Sequence, residues 1–453
     1  MNYLQAIEQL SLIEQKYNVM SIKYKNISVW PYLRSYLVDQ IGYQKARKSS
    51  VSNISFILKN LFTYNPLMLR KKFDLWSYSG VITRKKIGEY YHHHASGVLP
   101  YITDSVLNLE NPEISRPHFR RSEIPEKNII SNSWSIFLSR GIEYFLRLKK
   151  PLKIDNVDIL DKINDDLNIY FDYCFRIRLL YAQKLATDFL LALGKKPKVV
   201  VMECPYDQMG YVWSFHSHSI PVIELQHGVI NANHYAYNSA FHGGILSPDI
   251  LCVYGEEEYK FITNRYTPYC PKVIKTGLFI LDESNKYFKD DIFKDLRGKY
   301  KNIIVVAGQS DCEESLLRFI EETSHITPDN LYIYIPRRVC NLNCNSDNVI
   351  IKFNVNIYQY IKWCDIHCTV SSTTCLESQY FEKPNIFVEI NNTAKKYYEE
   401  ILKEENGSYF VNCPEKFRDV CDVINNNIFI YRDLFARGTV ENVRKVINKF
   451  LLC

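Results

Sequence analysis

Glu203 and His227 are the residues with which this chain can do acid–base chemistry, a carboxylate and an imidazole each placed where a short apolar run breaks off. The run Val199 to Met202 stops at Glu203, and the run Pro221 to Leu225 stops at Gln226, His227 and Gly228. An imidazole with an ordinary pKa of about 6.5 can take the proton of a hydroxyl near neutral pH, and a carboxylate can do the same or attack as a nucleophile. Asp207 lies close to the first run, and His234 and His242 lie beyond the second. Further on, the hydroxyl residues Ser371, Ser372, Thr373 and Thr374 follow another apolar run and precede Glu377. Hydroxyls at the start of a helix, where backbone N–H groups are unsatisfied, suit a phosphate, and a carboxylate one turn later can accept hydrogen bonds from ribose. Arg337 and Arg338 add fixed positive charge at a neighbouring run end, and Gln309 adds an amide after Gly308.

Positioning such groups takes buried parallel strands. Short β-branched runs alternating with helical segments read as strand, helix, strand with right-handed crossovers, and ligands sit beyond the carboxyl ends of the strands in such sheets. The first series is Val199–Met202, a crossover helix over 207–219, Pro221–Leu225, Ile250–Tyr254 and Val273–Thr276. A charged stretch over 282–301 separates it from a second series: Asn302–Ala307, Leu331–Ile335, Val349–Ile351, Ile366–Val370 and Asn385–Glu389. The reading is therefore α/β, with two Rossmann-like domains facing across a cleft. Residues 1–285 form the first, carrying a divergent helical or irregular extension over 1–155, and residues 286–453 form the second. A long helical pattern is expected over 157–193. The run His92, His93 and His94 is expected on a mobile or cleft-lining loop, because adjacent residues do not face one way. Arg116, His118, Arg120 and Arg121 form a basic cluster that would suit an anion.

Composition narrows the class. A chain of 453 residues suits two domains, and 46% hydrophobic with 23% charged residues is globular. The net charge of +6 calls for no nucleic acid. The 13 cysteines form no CxxC pair and point to a reducing, cytoplasmic setting; Cys340 with Cys344 and Cys364 with Cys368 lack partner ligands for zinc. No apolar run reaches the roughly 18 residues of a membrane span. Basic and aromatic residues interleave over Ile54 to Lys72 and Ser139 to Lys153, which predicts peripheral contact with an anionic inner membrane.

Together, Glu224–Gly228 (ELQHG), Ser247–Gly255 (SPDILCVYG), Lys275–Gly277 (KTG), Val306–Gln309 (VAGQ) and Ser371–Pro384 resemble the GT-B glycosyltransferases of bacterial capsule and lipopolysaccharide O-antigen synthesis. The resemblance covers roughly residue 195 to the C-terminus. It implies a nucleotide sugar held by the second domain, with Ser371, Ser372 and Thr373 on the donor phosphate and Glu377 on ribose. Arg337, Arg338 and Gln309 would complete the donor site. It implies a lipid-linked or oligosaccharide acceptor on the first domain, beside Gln226, His234 and Asp207, with His227 or Glu203 in catalysis. Where sialyl- and Kdo-type transferases carry a His-Pro pair, this chain reads Pro336-Arg337-Arg338. No paired carboxylates stand at a strand end, so neither metal nor cofactor is expected. A CDP-polyol phosphotransferase of teichoic-acid type and a UDP-sugar 2-epimerase are the alternatives.

Overall fold

The computed structural model describes residues 3–43, 54–113, 118–149, 151–239, 241, 243–264, 270, 272–310, 312–337 and 342–452. Arg116, His242, Arg338 and Cys340 lie outside the described residues. The chain forms two compact units: residues 1–85, 89–279 and 437–453 make the first, and residues 86–88 and 280–436 make the second.

The first unit is built on a seven-stranded sheet. Its strands are β1 (Leu75–Gly80), β2 (Val106–Asn111), β3 (Ile129–Ser131), β4 (Val199–Met202), β5 (Val222–Leu225), β6 (Ile250–Val253) and β7 (Lys272–Lys275). They lie in the order β7-β6-β5-β4-β1-β2-β3, every pair parallel. The winding direction reverses between β1 and β4. Both faces of β4 are buried: Val199 and Val201 join Leu75, Leu225 and Ile250 on one side, while Val200 and Met202 join Trp76, Tyr78 and Phe215 on the other. Helices α1 (Tyr3–Lys16) and α2 (Trp30–Tyr43) contribute Leu10, Trp30 and Leu33 to a core shared with Tyr206, Trp213 and Ile230.

Four expectations are corrected here. Residues 1–155 are not an extension apart from the sheet, because β1 to β3 come from within them. These strands carry polar residues on one face (Ser77 and Ser79, Asn108 and Glu110, Ser131), so their apolar runs are broken. The polar groups are satisfied by a buried network. Glu110 receives Arg84 Nε at 2.6 Å and His118 Nδ1 at 2.6 Å, His118 Nε2 lies 2.9 Å from Ser131 Oγ, and Arg84 also reaches Glu126 at 3.0 Å. Bonds to His118 and His93 and the charge of Arg84 overcome burial and hold Glu110 well below the usual carboxylate range. His92, His93 and His94 are consequently buried, with His93 Nε2 3.0 Å from Ser79 Oγ, and are not a mobile loop. Of the described members of the basic cluster, His118 is spent on Glu110 and Arg121 on the carbonyls of Glu126 and Lys127, while Arg120 is exposed. Finally, the helical pattern over 157–193 breaks at Asn168, whose φ of 49° is left-handed, into Asp158–Leu167 and Tyr173–Leu193.

The second unit has six parallel strands: β8 (Asn302–Ala307), β9 (Asn330–Ile335), β10 (Val349–Ile351), β11 (Ile366–Thr369), β12 (Asn385–Val388) and β13 (Ser408–Val411). Their order is β10-β9-β8-β11-β12-β13, so the winding reverses between β8 and β11. The helix Thr439–Leu451 leaves this unit: Val443, Val446 and Ile447 complete the face of the first sheet that holds Val199 and Val201. Among the described residues, no helix is long and apolar enough to cross a membrane.

Candidate functional site

In open α/β sheets the carboxyl ends of the strands flanking a winding reversal leave a crevice, because the crossovers depart in opposite directions. In the first unit this point is the end of β4 next to β1, and Glu203 occupies it. Its backbone N–H donates to Tyr78 O of β1 at 2.9 Å, and its Oε1 accepts from Ser96 N at 2.8 Å. Glu203 is 2% exposed, and its Oε2 has no hydrogen-bond partner among the described residues. A buried carboxylate oxygen left in that state is costly unless function retains it. Cys204 then turns the chain with a left-handed φ of 55°, a conformation a non-glycine residue holds only where the surroundings impose it.

That turn swings Cys204 and Tyr206 beneath His227, at the end of the adjacent strand β5. His227 Nε2 lies 3.1 Å from Cys204 Sγ and 3.2 Å from Tyr206 OH, while Nδ1 is buried and has no partner among the described residues. Burial lowers the His227 pKa below the ordinary histidine value, against the opposing pull of the Glu203 carboxylate. Burial raises the Cys204 thiol and the Tyr206 hydroxyl, so both keep their protons. The imidazole is therefore neutral at neutral pH and, in either tautomer, keeps one lone pair, which is what a base requires.

The acceptor-side residues divide. His234 stacks on Tyr235, with ring centroids 5.2 Å apart, and packs edge-on against Tyr206; burial first, then the charges of His227 and Arg34, push it down to about 3. Asp207 is exposed and accepts from Tyr235 OH at 3.1 Å. Gln226, 2% exposed, is a brace: its Oε1 accepts from Tyr254 N at 2.7 Å and its Nε2 donates to Gly228 O at 2.8 Å. Nε2 also reaches Glu258 Oε1 at 3.3 Å, and burial raises that carboxyl to about 7. Tyr206 and Cys204 were not singled out by the sequence; the available signal was Pro205, which with Cys204 forces a turn directly after a strand.

In the second unit, Gln309 and Ser371 follow β8 and β11, the two strands that flank the winding reversal. Gln309 Nε2 donates to Ser371 Oγ at 3.2 Å. The half-buried Thr373 directs Oγ1 to Glu377 Oε1 at 3.4 Å. Ser372 is turned inward, its Oγ accepting from Thr374 N at 3.4 Å. Glu377, on the short helix Thr374–Tyr380, is 3% exposed. Arg337 is exposed, and its backbone N–H donates to Glu313 Oε2 at 3.1 Å. Glu313, which the sequence reading passed over, braces the end of β9, since Tyr334 OH also donates to its Oε1 at 2.8 Å. Gly308 makes room for it: a Cβ there would stand 1.9 Å from Glu313 Oε1 and 3.0 Å from Pro336 Cα.

No family model matches the chain, and its sequence matches no curated protein. Solved structures do resemble it. The UDP-GlcNAc 2-epimerase from Methanocaldococcus jannaschii aligns at a TM-score of 0.50 and 12% identity over 84% of this chain and 99% of its own. S. aureus MnaA, in a co-structure with UDP, aligns at 0.50 and 11% identity over 83% and 96%. The glycotransferase of kitacinnamycin aligns at 0.47 and 9% identity over 84% and 100%. Likeness at such identities concerns the fold, which is two parallel-sheet α/β domains of the GT-B type.

Proposed function

We propose that this chain is an enzyme acting on a nucleotide-activated sugar, and that it transfers the sugar to a lipid-linked or oligosaccharide acceptor of a bacterial surface polysaccharide. The observation that carries the reading is the meeting of Gln309 and Ser371 at 3.2 Å, an amide and a hydroxyl on the two strand ends that flank the winding reversal. Ser371, Thr373 and Arg337, with Arg338 beside it in sequence, would receive the donor phosphate, and Glu377 lies one turn further for ribose. Neutralising the leaving group with fixed donors and guanidinium groups needs no metal. In the first unit His227 would take the acceptor's proton, with Glu203 polarising the imidazole. Free thiols, among them the buried Cys252, Cys364 and Cys368, support a cytoplasmic setting.

A second reading, UDP-sugar 2-epimerase, is favoured by the names of the similar structures that share the whole architecture. In it Glu203 would act directly on the sugar.

Melting the purified protein with UDP, CMP and CDP comes first, since a nucleotide bound only by the folded state at about 100 times its Kd stabilises by about 2.7 kcal/mol. UDP is expected to raise the melting temperature; no shift with any nucleotide would refute both readings. UDP-GlcNAc without acceptor then separates them. Formation of UDP-N-acetylmannosamine identifies the epimerase, whereas sugar transfer that requires a lipid-linked acceptor identifies the transferase.

A further inference from the structure

The helix Ser133–Arg147 sits on the first unit the wrong way round for a water-soluble surface. Its buried residues are Ser133, Ser135, Ser139 and Glu143, all polar. The face opposite carries Phe137, Tyr144 and Phe145, with Leu148 just beyond, all exposed; Phe145 is 66% and Leu148 68% exposed. Positions 137, 141, 144, 145 and 148 recur at helical spacing, so this is one stripe. The inward polar face is stable as it stands. Ser139 Oγ donates to Ser135 O at 2.6 Å, and Glu143 pairs with Arg178 at 3.1 Å. Phe62, 71% exposed, extends the stripe from a neighbouring segment, packing edge-on against Trp134 with centroids 5.5 Å apart.

Charge identifies what covers this face. Lys59, Arg70, Lys71, Lys72, Arg147 and Lys149 are exposed on the same two segments. Residues 54–72 contain no Asp or Glu, and the one carboxylate over 133–149 is the buried, paired Glu143. A second copy docked through a twofold axis would set these cations against themselves. A bilayer with anionic headgroups satisfies both halves of the surface, taking aromatic rings at the headgroup level and lysine and arginine at the phosphates.

We infer that the outward face of Ser133–Arg147, together with the Phe62 segment, is a docking surface for an anionic lipid bilayer. The inference stands apart from the reaction, so it holds for transferase and epimerase alike.

Flotation of the full chain with phosphatidylcholine vesicles containing phosphatidylglycerol tests it, with pure phosphatidylcholine as the comparison. Binding is expected to the anionic vesicles at low salt, falling steeply at high salt as the charges are screened. The variants Phe145→Ser with Leu148→Ser, and Arg147→Glu with Lys149→Glu, alter exposed side chains, so each pair is expected to cut the bound fraction at least about tenfold with an unchanged melting temperature. Sedimentation velocity on the same samples reads the rival occupant. No flotation at low salt overturns the inference, and so does equal flotation of the variants. A dimer dispersed by Phe145→Ser with Leu148→Ser would overturn it by making this face a contact between copies. The shift with UDP, measured on the same samples, reports separately on the nucleotide reading.

Discussion

His227 holds its place through two neighbours that donate to, or accept from, one nitrogen, and that arrangement separates chemistry from folding. Removing the imidazole leaves the Cys204 turn and the edge-on contact of Tyr206 with Tyr235 in place. His227→Ala is therefore expected to lower turnover roughly 10²–10⁴-fold while the melting temperature stays nearly constant. Because burial lowers this histidine's pKa, the base stays unprotonated until the pH falls below the ordinary value of about 6.5, so the acid limb of the wild-type profile should lie below it. Glu203→Gln should move that limb to still lower pH, since it removes a charge that favours imidazolium. A dead Glu203→Gln beside a near-normal His227→Ala would instead make the carboxylate the reacting group. At this scale the sequence was informative about Glu203 and His227, because each ends an apolar run. It was silent on Cys204 and Tyr206, which reach the imidazole only after a left-handed turn whose local sign is Pro205 alone.

Among elements, the second sheet was readable nearly strand by strand, since β8, β9 and β11 are buried on both faces and read as continuous apolar runs. The first sheet was half hidden. Strands β1 to β3 bury Ser79, Glu110 and Ser131 against Arg84, His93 and His118, partners that come from the segments between those strands, Arg84 and His93 from a separate two-stranded sheet. Strand ends also depend on braces, and Glu313 beneath Gly308 is one. Gly308→Ala forces a methyl into the Glu313 carboxylate and the Pro336 backbone, so it is expected to destabilise the second unit by about 1–3 kcal/mol. Nucleotide affinity should fall with it, because Gln309 is the next residue; calorimetric titration with UDP and urea melts read the two effects. Unchanged affinity and stability would mean that Glu313 simply swings away.

At the scale of the whole molecule, both winding reversals carry polar groups, Glu203 at one and Gln309 with Ser371 at the other, and this correspondence was only partly visible before the strand order was known. The helix Thr439–Leu451 was invisible as a part of the first unit, because nothing local distinguishes it from a closing helix of the second. Its allegiance is testable. Ile447→Asn buries an amide in the core with Val201 and Cys252, where losing the aliphatic side chain costs about 2–5 kcal/mol. Hydrogen exchange should then accelerate in β4 and β6 and leave β8 and β11 protected; acceleration confined to β8 and β11 would contradict the packing. The same allegiance bears on synthesis. A ribosome must make residues 280–436 before it makes the helix that covers Val199, Val201 and Ile250, so the second unit can close while the first still shows an uncovered apolar face. Nascent chains stalled just before Gly438 should thus recruit chaperones through the older, N-terminal half of the polypeptide, a reversal of the usual order in which the earlier domain is finished first.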